Sequence, residues 1–344
     1  MNPGTLSTLD ARRIAAFVAR HYGPARKSVR LNMRRLGGGL RNGGLALVRV
    51  HPLRASHQPC AFVVKRVTGE DCREIDAYDA LLRHVAPGIA PRLLGAERSG
   101  PDEAYLYLEW IETWRKWPWR EVDLAGAVLE RLAALHQGLS VHRLTSALGQ
   151  WDYEADLVRS AETTLEVFEV ESRHPDLAGI RRSLPALRRT VAALPKLRRQ
   201  LLAAGPPPAV LHGDMHPGNA IVRLSPNLPE PVLLDWGRIR VGSPLEDVCS
   251  WLQSLGYWEP EARRRHDSLL SRYLTARGFA TPALPGLRQA YWLAGGSNAM
   301  AGALRYHLFV ATDAASTEHA RLESNAQVRD WLRIVRRADA AWRA

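Results

Sequence analysis

The chain is poor in cysteine and lacks any long apolar run, and both shortages limit what it can be. Its 3 cysteines, at positions 60, 72 and 249, are too few and too scattered for a disulfide framework or a zinc site. The longest uncharged run, residues 289–304, is broken by polar and glycine residues and is too short to span a bilayer. Residues 1–9 lack the basic and apolar regions of a secretory signal. We therefore expect a soluble protein of the cytoplasm.

Runs of basic residues are also short, although the net charge is +12. The longest is the arginine triplet 263–265, and the remaining basic residues are scattered. The sequence shows no basic stripe with interleaved aromatics and no nucleic-acid-binding motif. The charge therefore favours a solvated basic surface that also attracts anionic nucleotides, and nucleic acid is not the expected partner.

Length and composition favour a folded protein with more than one core. The chain has 344 residues, of which 46% are hydrophobic and 24% are charged. That composition is typical of globular proteins, and that length exceeds a usual single core. We expect two lobes.

The most informative segment is the run HGDMHPGN at 212–219, followed by LLDWG at 233–237. An Asp, four intervening residues and an Asn, then a second Asp behind an apolar run, is the spacing of a phosphoryl-transfer site. Asp214 would take or orient the proton of an attacking hydroxyl, while Asn219 and Asp235 would offer oxygen ligands to Mg²⁺. The apolar residues before both segments predict two short buried strands whose ends carry these groups side by side.

The same run allows two other interpretations. His212, Asp214 and His216 are good ligands for a transition metal, and metallophosphoesterases also combine Gly-Asp with a nearby His. Such enzymes need further His and Asp clusters, and this sequence has none. A purely structural loop is disfavoured because Asp, His and Asn are costly to gather beside buried strands without a task. The metallohydrolase stays as the weaker alternative.

The first hundred residues predict one helix and then strands. Apolar residues at helical spacing start after Thr8, and the pair Gly23-Pro24 ends that helix. Ile14, Phe17, Val18 and His21 would share one face of it. Strands are predicted at 29–35, 45–50, 61–67 and 104–108. Between the first two, a glycine-rich turn would lay backbone amides over nucleotide phosphates, with Gly38, Gly39 and Asn42 in contact.

Lys65 closes an apolar strand, which is the setting of a kinase nucleotide lysine. A buried ammonium is costly unless it is paired, so Lys65 should face phosphate and a carboxylate. Glu74, early in a helix predicted at 71–84, is the preferred partner, because Asp76 would point off the same helix face. The alternative is an exposed charge at a strand end.

The strand predicted at 104–108 leads into a candidate hinge. The backbone of Glu109 and Ile111 there would hydrogen-bond the edge of an adenine ring. Beyond it, apolar residues at a period of 3.6 up to His136 predict a buried helix. The region from about 113 to 205 and the region from 258 to 344 should be mainly helical.

Together these pieces resemble the aminoglycoside phosphotransferase and choline kinase family, the small-molecule branch of the protein-kinase-like fold. The matching segments are the turn at 37–42, Val64-Lys65, Arg73-Glu74, the hinge at 108–110, LAALH at 132–136, the loop at 212–219, LDWG at 234–237 and GSPLED at 242–247. The loop is the specific part of the match. The resemblance implies a bilobal α+β fold. A β-rich nucleotide-binding lobe with the hinge would cover 1–112, and a helical catalytic and acceptor-binding lobe 113–344, with a helical insertion at about 140–205.

The resemblance also implies an enzyme that moves the γ-phosphoryl group of ATP, or of GTP, to a hydroxyl of a small molecule with Mg²⁺. Asp214 would be the base, and His212, His216 and Asp247 would brace its loop. Ser243 departs from the acidic residue that the family often has there, which puts local anchoring in doubt. A kinase-like protein that binds nucleotide with little catalysis is the alternative.

The acceptor is the least determined part. Residues 152–176 hold eight acids and two arginines, where the resembling family places its acceptor pocket. This cluster of acids favours an aminoglycoside, amino alcohol or aminosugar as the acceptor, whereas the net charge of +12 favours an anionic acceptor. The simplest explanation of the acids is a solvated helix face. The acids are Asp152, Glu154, Asp156, Glu162, Glu166, Glu169, Glu171 and Asp176.

Overall fold

A computed structural model gives the fold of the chain. It describes residues 8–22, 29–36, 44–52, 60–82, 88–111, 114–116, 121–138, 141–148, 151–223, 229–258, 260–279 and 284–344. The described residues form two compact units, one drawn from 1–117 and 219–239 and the other from 118–218 and 240–344. The lobe boundary between 112 and 113 stays a prediction.

The regular elements follow in chain order. The strands are β1 (Val29–Arg35), β2 (Gly44–Pro52), β3 (Cys60–Thr68), β4 (Leu93–Gly100), β5 (Glu103–Glu109), β6 (Trp114–Lys116), β7 (Ala209–Leu211), β8 (Ala220–Arg223), β9 (Glu230–Leu233) and β10 (Arg240–Gly242). The helices are α1 (Thr8–Tyr22), α2 (Arg73–Ala77), α3 (Val122–Gly138), α4 (Val141–Leu148), α5 (Tyr153–Glu171), α6 (Leu184–Ala192), α7 (Leu194–Ala204), α8 (Pro244–Trp258), α9 (Pro260–Arg264), α10 (His266–Ala276), α11 (Leu284–Asn298), α12 (Leu304–Thr312) and α13 (Glu318–Arg343).

The first unit is built on an antiparallel sheet of five strands in the order β1-β2-β3-β5-β4. Helix α1 packs on it through Phe17, whose ring stacks on Tyr107 with 3.8 Å between the centroids. Gly95 makes room for this contact, since a Cβ there would lie 2.8 Å from Phe17 Cε2. The unit also contains a small sheet in the order β6-β8-β9.

The second unit is mainly helical. Helix α3 buries the apolar stripe that the sequence predicts, and Trp251 of α8 donates from its indole to the carbonyl of Ala125 at 3.2 Å. The long helix α13 is capped by Thr317, whose hydroxyl accepts from the Ala320 amide, and it contacts α6, α11 and α12. A short two-stranded sheet pairs β7 with β10. No helix among the described residues is long and apolar enough to cross a membrane.

The elements predicted in the first unit are largely confirmed, with two corrections. The stretch expected to be helical at 71–84 is helical as far as Leu82 but is divided into a 3-10 turn, the short α2 and a π turn, and residues 83 and 84 lie outside the described residues. His21 shares the face of α1 that carries Phe17, since the two rings stack with 5.2 Å between their centroids, and it is exposed at the end of the helix. Residues 114–116 are not helical, since their backbone pairs with β8.

Both short strands expected before the Asp-containing segments are present. They are β7 and β9, and they belong to different sheets, because β7 pairs with β10 whereas β9 pairs with β8. The helices expected at 140–205 and after residue 258 are confirmed by α4 to α7 and α9 to α13.

Candidate active site

In the first unit, Lys65 forms a buried cluster with two carboxylates. Only 5% of the lysine is exposed. Its Nζ donates to Glu74 Oε2 at 2.5 Å and to Asp235 Oδ1 at 3.0 Å. The pairing with Glu74 that the sequence predicts is therefore present, while Asp76 accepts from Arg98 at 2.6 Å. Lys65 is not an exposed charge at a strand end.

Burial and the neighbouring charges have opposite effects on the pKa values of Lys65 and Glu74. Burial by itself lowers the pKa of Lys65, but the negative charges of Glu74 and Asp235 outweigh burial and raise it above its usual value. Burial raises the pKa of Glu74, against the opposing charge of Lys65. The second oxygen of Glu74 accepts from the Trp236 amide at 3.2 Å, so this carboxylate ties β3 to the turn after β9. We assign Lys65 a full positive charge at neutral pH.

The backbone around Asp235 fixes where its carboxylate points. Asp235 is the one non-glycine residue with positive φ, at 63°, in the part of the chain that the structure describes. An Asp tolerates this left-handed conformation better than a branched residue does. The adjacent amide of Leu234 donates to the carbonyl of Asn219 at 2.8 Å. Asn219 and Asp235 therefore lie at the same end of the β8-β9 hairpin, and the Asp235 side chain is 34% exposed.

In the second unit, β7 leads directly into the loop that carries Asp214. The carboxylate of Asp247, at the start of α8, accepts from the His212 amide at 2.7 Å and from the Gly213 amide at 2.9 Å. Asp247 is buried, and Gly213 takes a φ of 86°, a left-handed value that favours glycine. The side chain of Asp214 emerges from this fixed backbone with 49% of its surface exposed.

A histidine extends the support of that loop. His136 Nε2 lies 3.1 Å from Asp247 Oδ2, and His136 Nδ1 lies 2.8 Å from the Tyr273 hydroxyl. Burial lowers the pKa of His136, against the charge of Asp247, so the imidazole is neutral. We assign its proton to Nε2, which then donates to Asp247, while Nδ1 accepts from Tyr273. Burial alone would raise the pKa of Asp247, but the hydrogen bond from His136 and nearby positive charge hold it low.

The two histidines of the motif shape the loop through their own backbone. His212 Nδ1 accepts from the Asp214 amide at 3.3 Å, and His216 Nδ1 accepts from the Gly218 amide at 3.0 Å. No group of three His, Cys, Asp or Glu side chains suited to a metal ion occurs within the described ranges.

Comparison with known proteins decides the family. A model of the phosphotransferase enzyme family matches residues 52–289, more than half of the chain. The chain belongs to this family. It is a small-molecule phosphotransferase of the aminoglycoside phosphotransferase and choline kinase type, and its acceptor group is a hydroxyl. Among curated protein sequences, none matches it.

Solved structures confirm the protein-kinase-like fold of this phosphotransferase. A choline/ethanolamine kinase family protein from Mesorhizobium loti is similar with a TM-score of 0.58 and 18% identity, covering 97% of this chain and 99% of that one. An ethanolamine kinase from Plasmodium vivax is similar with a TM-score of 0.59 and 10% identity, covering 94% and 89%. An aminoglycoside phosphotransferase from Alicyclobacillus acidocaldarius gives a TM-score of 0.54 at 15% identity, covering 90% and 91%. These likenesses concern the fold.

The residues predicted to contact the nucleotide form two sets, and the structure describes only the second of them. Gly38, Gly39 and Asn42 lie outside the described residues. At the hinge, Glu109 is the last residue of β5, its amide donates to the carbonyl of Arg92 at 2.8 Å, and its carboxylate accepts from the Arg92 amide at 3.1 Å. Ile111 is buried. The roles of all five residues in the phosphotransferase stay predictions.

Four of the eight acidic residues in the window 152–176 of the phosphotransferase accept hydrogen bonds from other protein groups. Asp152 caps α5 by accepting from the Ala155 amide at 3.0 Å. Glu154 and Glu169 each accept from an arginine, and the shorter of these contacts measure 2.7 to 3.0 Å. Asp156 accepts from Trp151 and Arg159. Glu162 and Glu166 are exposed. The window is thus partly structural.

Sequence reasoning missed one charged network in the second unit of the phosphotransferase. Arg198 and Arg240 are buried, and both contact the buried carboxylate of Glu246. Glu246 directly precedes Asp247 in the motif at 242–247, so the sequence pattern did indicate this residue. The arginines gave none, because Arg198 lies 48 positions from Glu246 and only the tertiary fold brings them together.

Proposed function

We propose that this phosphotransferase moves the γ-phosphoryl group of ATP to a hydroxyl of an amino alcohol or aminosugar, with Asp214 as the base. The observation that carries the proposal is the buried cluster of Lys65 with Glu74 and Asp235. An ammonium held between two carboxylates is preorganised for anionic phosphate, because its position and charge are fixed before nucleotide binds. GTP is the alternative donor.

The donor atoms of the first unit fit a magnesium ion. Asn219 and Asp235 offer an amide oxygen and a carboxylate oxygen, which are ligands that Mg²⁺ accepts. The charges of Lys65, Glu74 and Asp235 leave a net negative charge, which suits a divalent cation. When bound, the ion would offset the negative charge of the phosphates during transfer. The alternative metal site, with His212 and His216 as ligands, is disfavoured because the Nδ1 atom of each imidazole accepts a hydrogen bond from a backbone amide of the loop.

Asp214 has the setting expected of a general base. Its own amide and the amide of the preceding Gly213 are both hydrogen-bonded, while about half of its side-chain surface is exposed. In the proposed step, the acceptor hydroxyl gives its proton to Asp214 and its oxygen bonds to the γ-phosphorus, while the bond from that phosphorus to ADP breaks. At the hinge, the carbonyl of Glu109 and the amide of Ile111 would bind the adenine edge.

Two observations support a cationic acceptor. Glu162 and Glu166, on successive turns of α5, are exposed carboxylates without the arginine partners of Glu154 and Glu169 in the described contacts. The choline, ethanolamine and aminopropanol kinases with similar folds are named for amino alcohols. We expect the enzyme to act in the cytoplasm, because the chain has only three cysteines, at positions 60, 72 and 249.

The test is a panel of acceptors assayed for ADP release with MgATP. The panel holds choline, ethanolamine, aminopropanol and streptomycin. Replacing Asp214 by Asn should lower kcat by about 10²–10⁴-fold, the usual contribution of a positioned base, with nucleotide affinity unchanged. The matched control is Asp267→Asn, which changes an exposed Asp of the same unit that lies in an ion pair with Arg288.

Two results would count against the proposal. If the wild-type protein binds ATP but phosphorylates no member of the panel nor any neutral or anionic hydroxyl compound, it acts as a nucleotide-binding module. If Asp214→Asn keeps the wild-type kcat, Asp214 is not the base.

A further inference from the structure

The peptide that precedes Asp214 is held by three separate groups. The Gly213 amide donates to Asp247, and the Asp214 amide donates to His212 Nδ1. The carbonyl between those two amides, that of Gly213, accepts from Arg240 Nη1 at 3.1 Å. Asp247 and His212 were expected to brace this loop, whereas the contact with Arg240 adds a cation on the opposite side of the peptide.

Arg240 reaches Gly213 because of its place in the sheet. It is the first residue of β10 and lies opposite Leu211, the last residue of β7 before the loop. Its guanidinium lies over the Tyr153 ring, with Cζ 4.1 Å from the centroid, and only 6% of the residue is exposed. A planar guanidinium stacked on an aromatic ring has little freedom to turn.

The far side of Arg240 is anchored by Glu246. Arg240 Nη2 lies 3.5 Å from Glu246 Oε1, which also accepts from Arg198 Nη1 at 2.6 Å and from the Ser297 hydroxyl at 3.1 Å. The other oxygen, Oε2, accepts from the Ser243 amide at 3.3 Å. Burial alone would raise the pKa of Glu246, but the two arginines outweigh it and keep the carboxylate ionised.

We propose that Arg240 is a positioning residue of this phosphotransferase, which fixes the direction of the Asp214 side chain by holding the Gly213 carbonyl. The inference rests on the proposed role of Asp214 as the base. Arg198 is the neighbouring cation with the same partner, Glu246, and with the same ring, since its Cζ lies 5.4 Å from the Tyr153 centroid. The two arginines differ in what else they touch, because Arg198 bonds Glu154 and Ser297 whereas Arg240 bonds the loop.

This difference makes Arg198 the matched control. Arg240→Gln and Arg198→Gln each remove one buried guanidinium from Glu246, and thermal unfolding reports how much stability each loses. We expect Arg240→Gln to lower kcat by about 10- to 100-fold, the effect of a displacement of about 1 Å in a reacting group, with KM for MgATP and for the acceptor within about twofold. Arg198→Gln should lose at least as much thermal stability and keep kcat within about threefold of the wild type. Arg240→Lys, which can still donate one hydrogen bond to Gly213, should recover part of the kcat.

Three results would overturn the inference. They are an unchanged kcat in Arg240→Gln, an equal loss of kcat in Arg198→Gln, and a kcat in Arg240→Lys no higher than in Arg240→Gln. If either Gln variant fails to fold, Arg240→Lys and Arg198→Lys are compared instead, since each keeps a cation next to Glu246 and gives up part of the hydrogen bonding of its guanidinium. A lower kcat in Arg240→Lys than in Arg198→Lys at unchanged KM supports the inference, and equal kcat values in the two variants contradict it. Failure of the proposed function is distinguishable, since it appears as an inactive wild type or an active Asp214→Asn.

Discussion

Replacing Asp247 by Asn changes one atom in a buried site where a single carboxylate accepts three hydrogen bonds. Oδ2 accepts from the His212 amide at 2.7 Å and from His136 Nε2 at 3.1 Å, and Oδ1 accepts from the Gly213 amide at 2.9 Å. The Asn side chain keeps one oxygen. This oxygen accepts the larger number of hydrogen bonds when it takes the place of Oδ2. The NH₂ group of the Asn side chain then faces the amide of Gly213.

The expected cost follows from that geometry. One charge-assisted hydrogen bond is lost and two buried donors face each other, which together should lower the free energy of unfolding by about 2–4 kcal/mol. The Gly213 peptide should shift away from the new donor and carry Asp214 with it. A displacement of this kind should lower kcat by about 10- to 100-fold, with KM for MgATP little changed.

Urea unfolding and steady-state kinetics of the same preparations test both parts. The control is Asp339→Asn in α13, because Asp339 is also buried and also accepts three hydrogen bonds, from Arg189 at 3.0 and 2.7 Å and from Arg343 at 3.2 Å. It should lose stability and keep its kcat. The reasoning is refuted if Asp339→Asn loses as much kcat as Asp247→Asn, or if Asp247→Asn unfolds like the wild type.

Two further predictions concern charge. Lys65→Met should raise the Kd for MgATP by about 10- to 100-fold, since one charge-assisted contact is worth about 1.5–3 kcal/mol. A binding titration should show no such change in the control Arg98→Met, which removes the neighbouring surface ion pair with Asp76. Equal affinities of the two variants for MgATP would refute the role of Lys65. Burial, followed by the charge of His216, lowers the pKa of His307 from 6.5 to about 4. Between these two values the unfolded chain binds a proton that the folded protein does not, so stability is lost as the pH falls through that window. In His307→Gln the drop in the free energy of unfolding from pH 7 to pH 5 should be smaller by about 1–2 kcal/mol, and an unchanged drop in urea unfolding would contradict the cause.

The sequence by itself determined the chemistry-bearing segments, because their residues are close along the chain. The spacing from Asp214 to Asn219, the strands before each segment and the apolar period of α3 are local patterns, and each predicted element is present. The choice of Glu74 over Asp76 was also local, since two positions on one helix turn point in different directions.

Only the tertiary structure decided what holds those segments in place. Asp247 reaches a loop 34 and 35 positions away, and His136 reaches Asp247 across 111 positions. No periodicity connects residues so far apart, since their contacts depend on how helices pack and on which strands pair. The contacts that Arg198 and Arg240 make with Glu246 were therefore not predictable from the sequence. The acidic residues of α5 resembled a binding surface, although several of them are hydrogen-bonded to the protein itself.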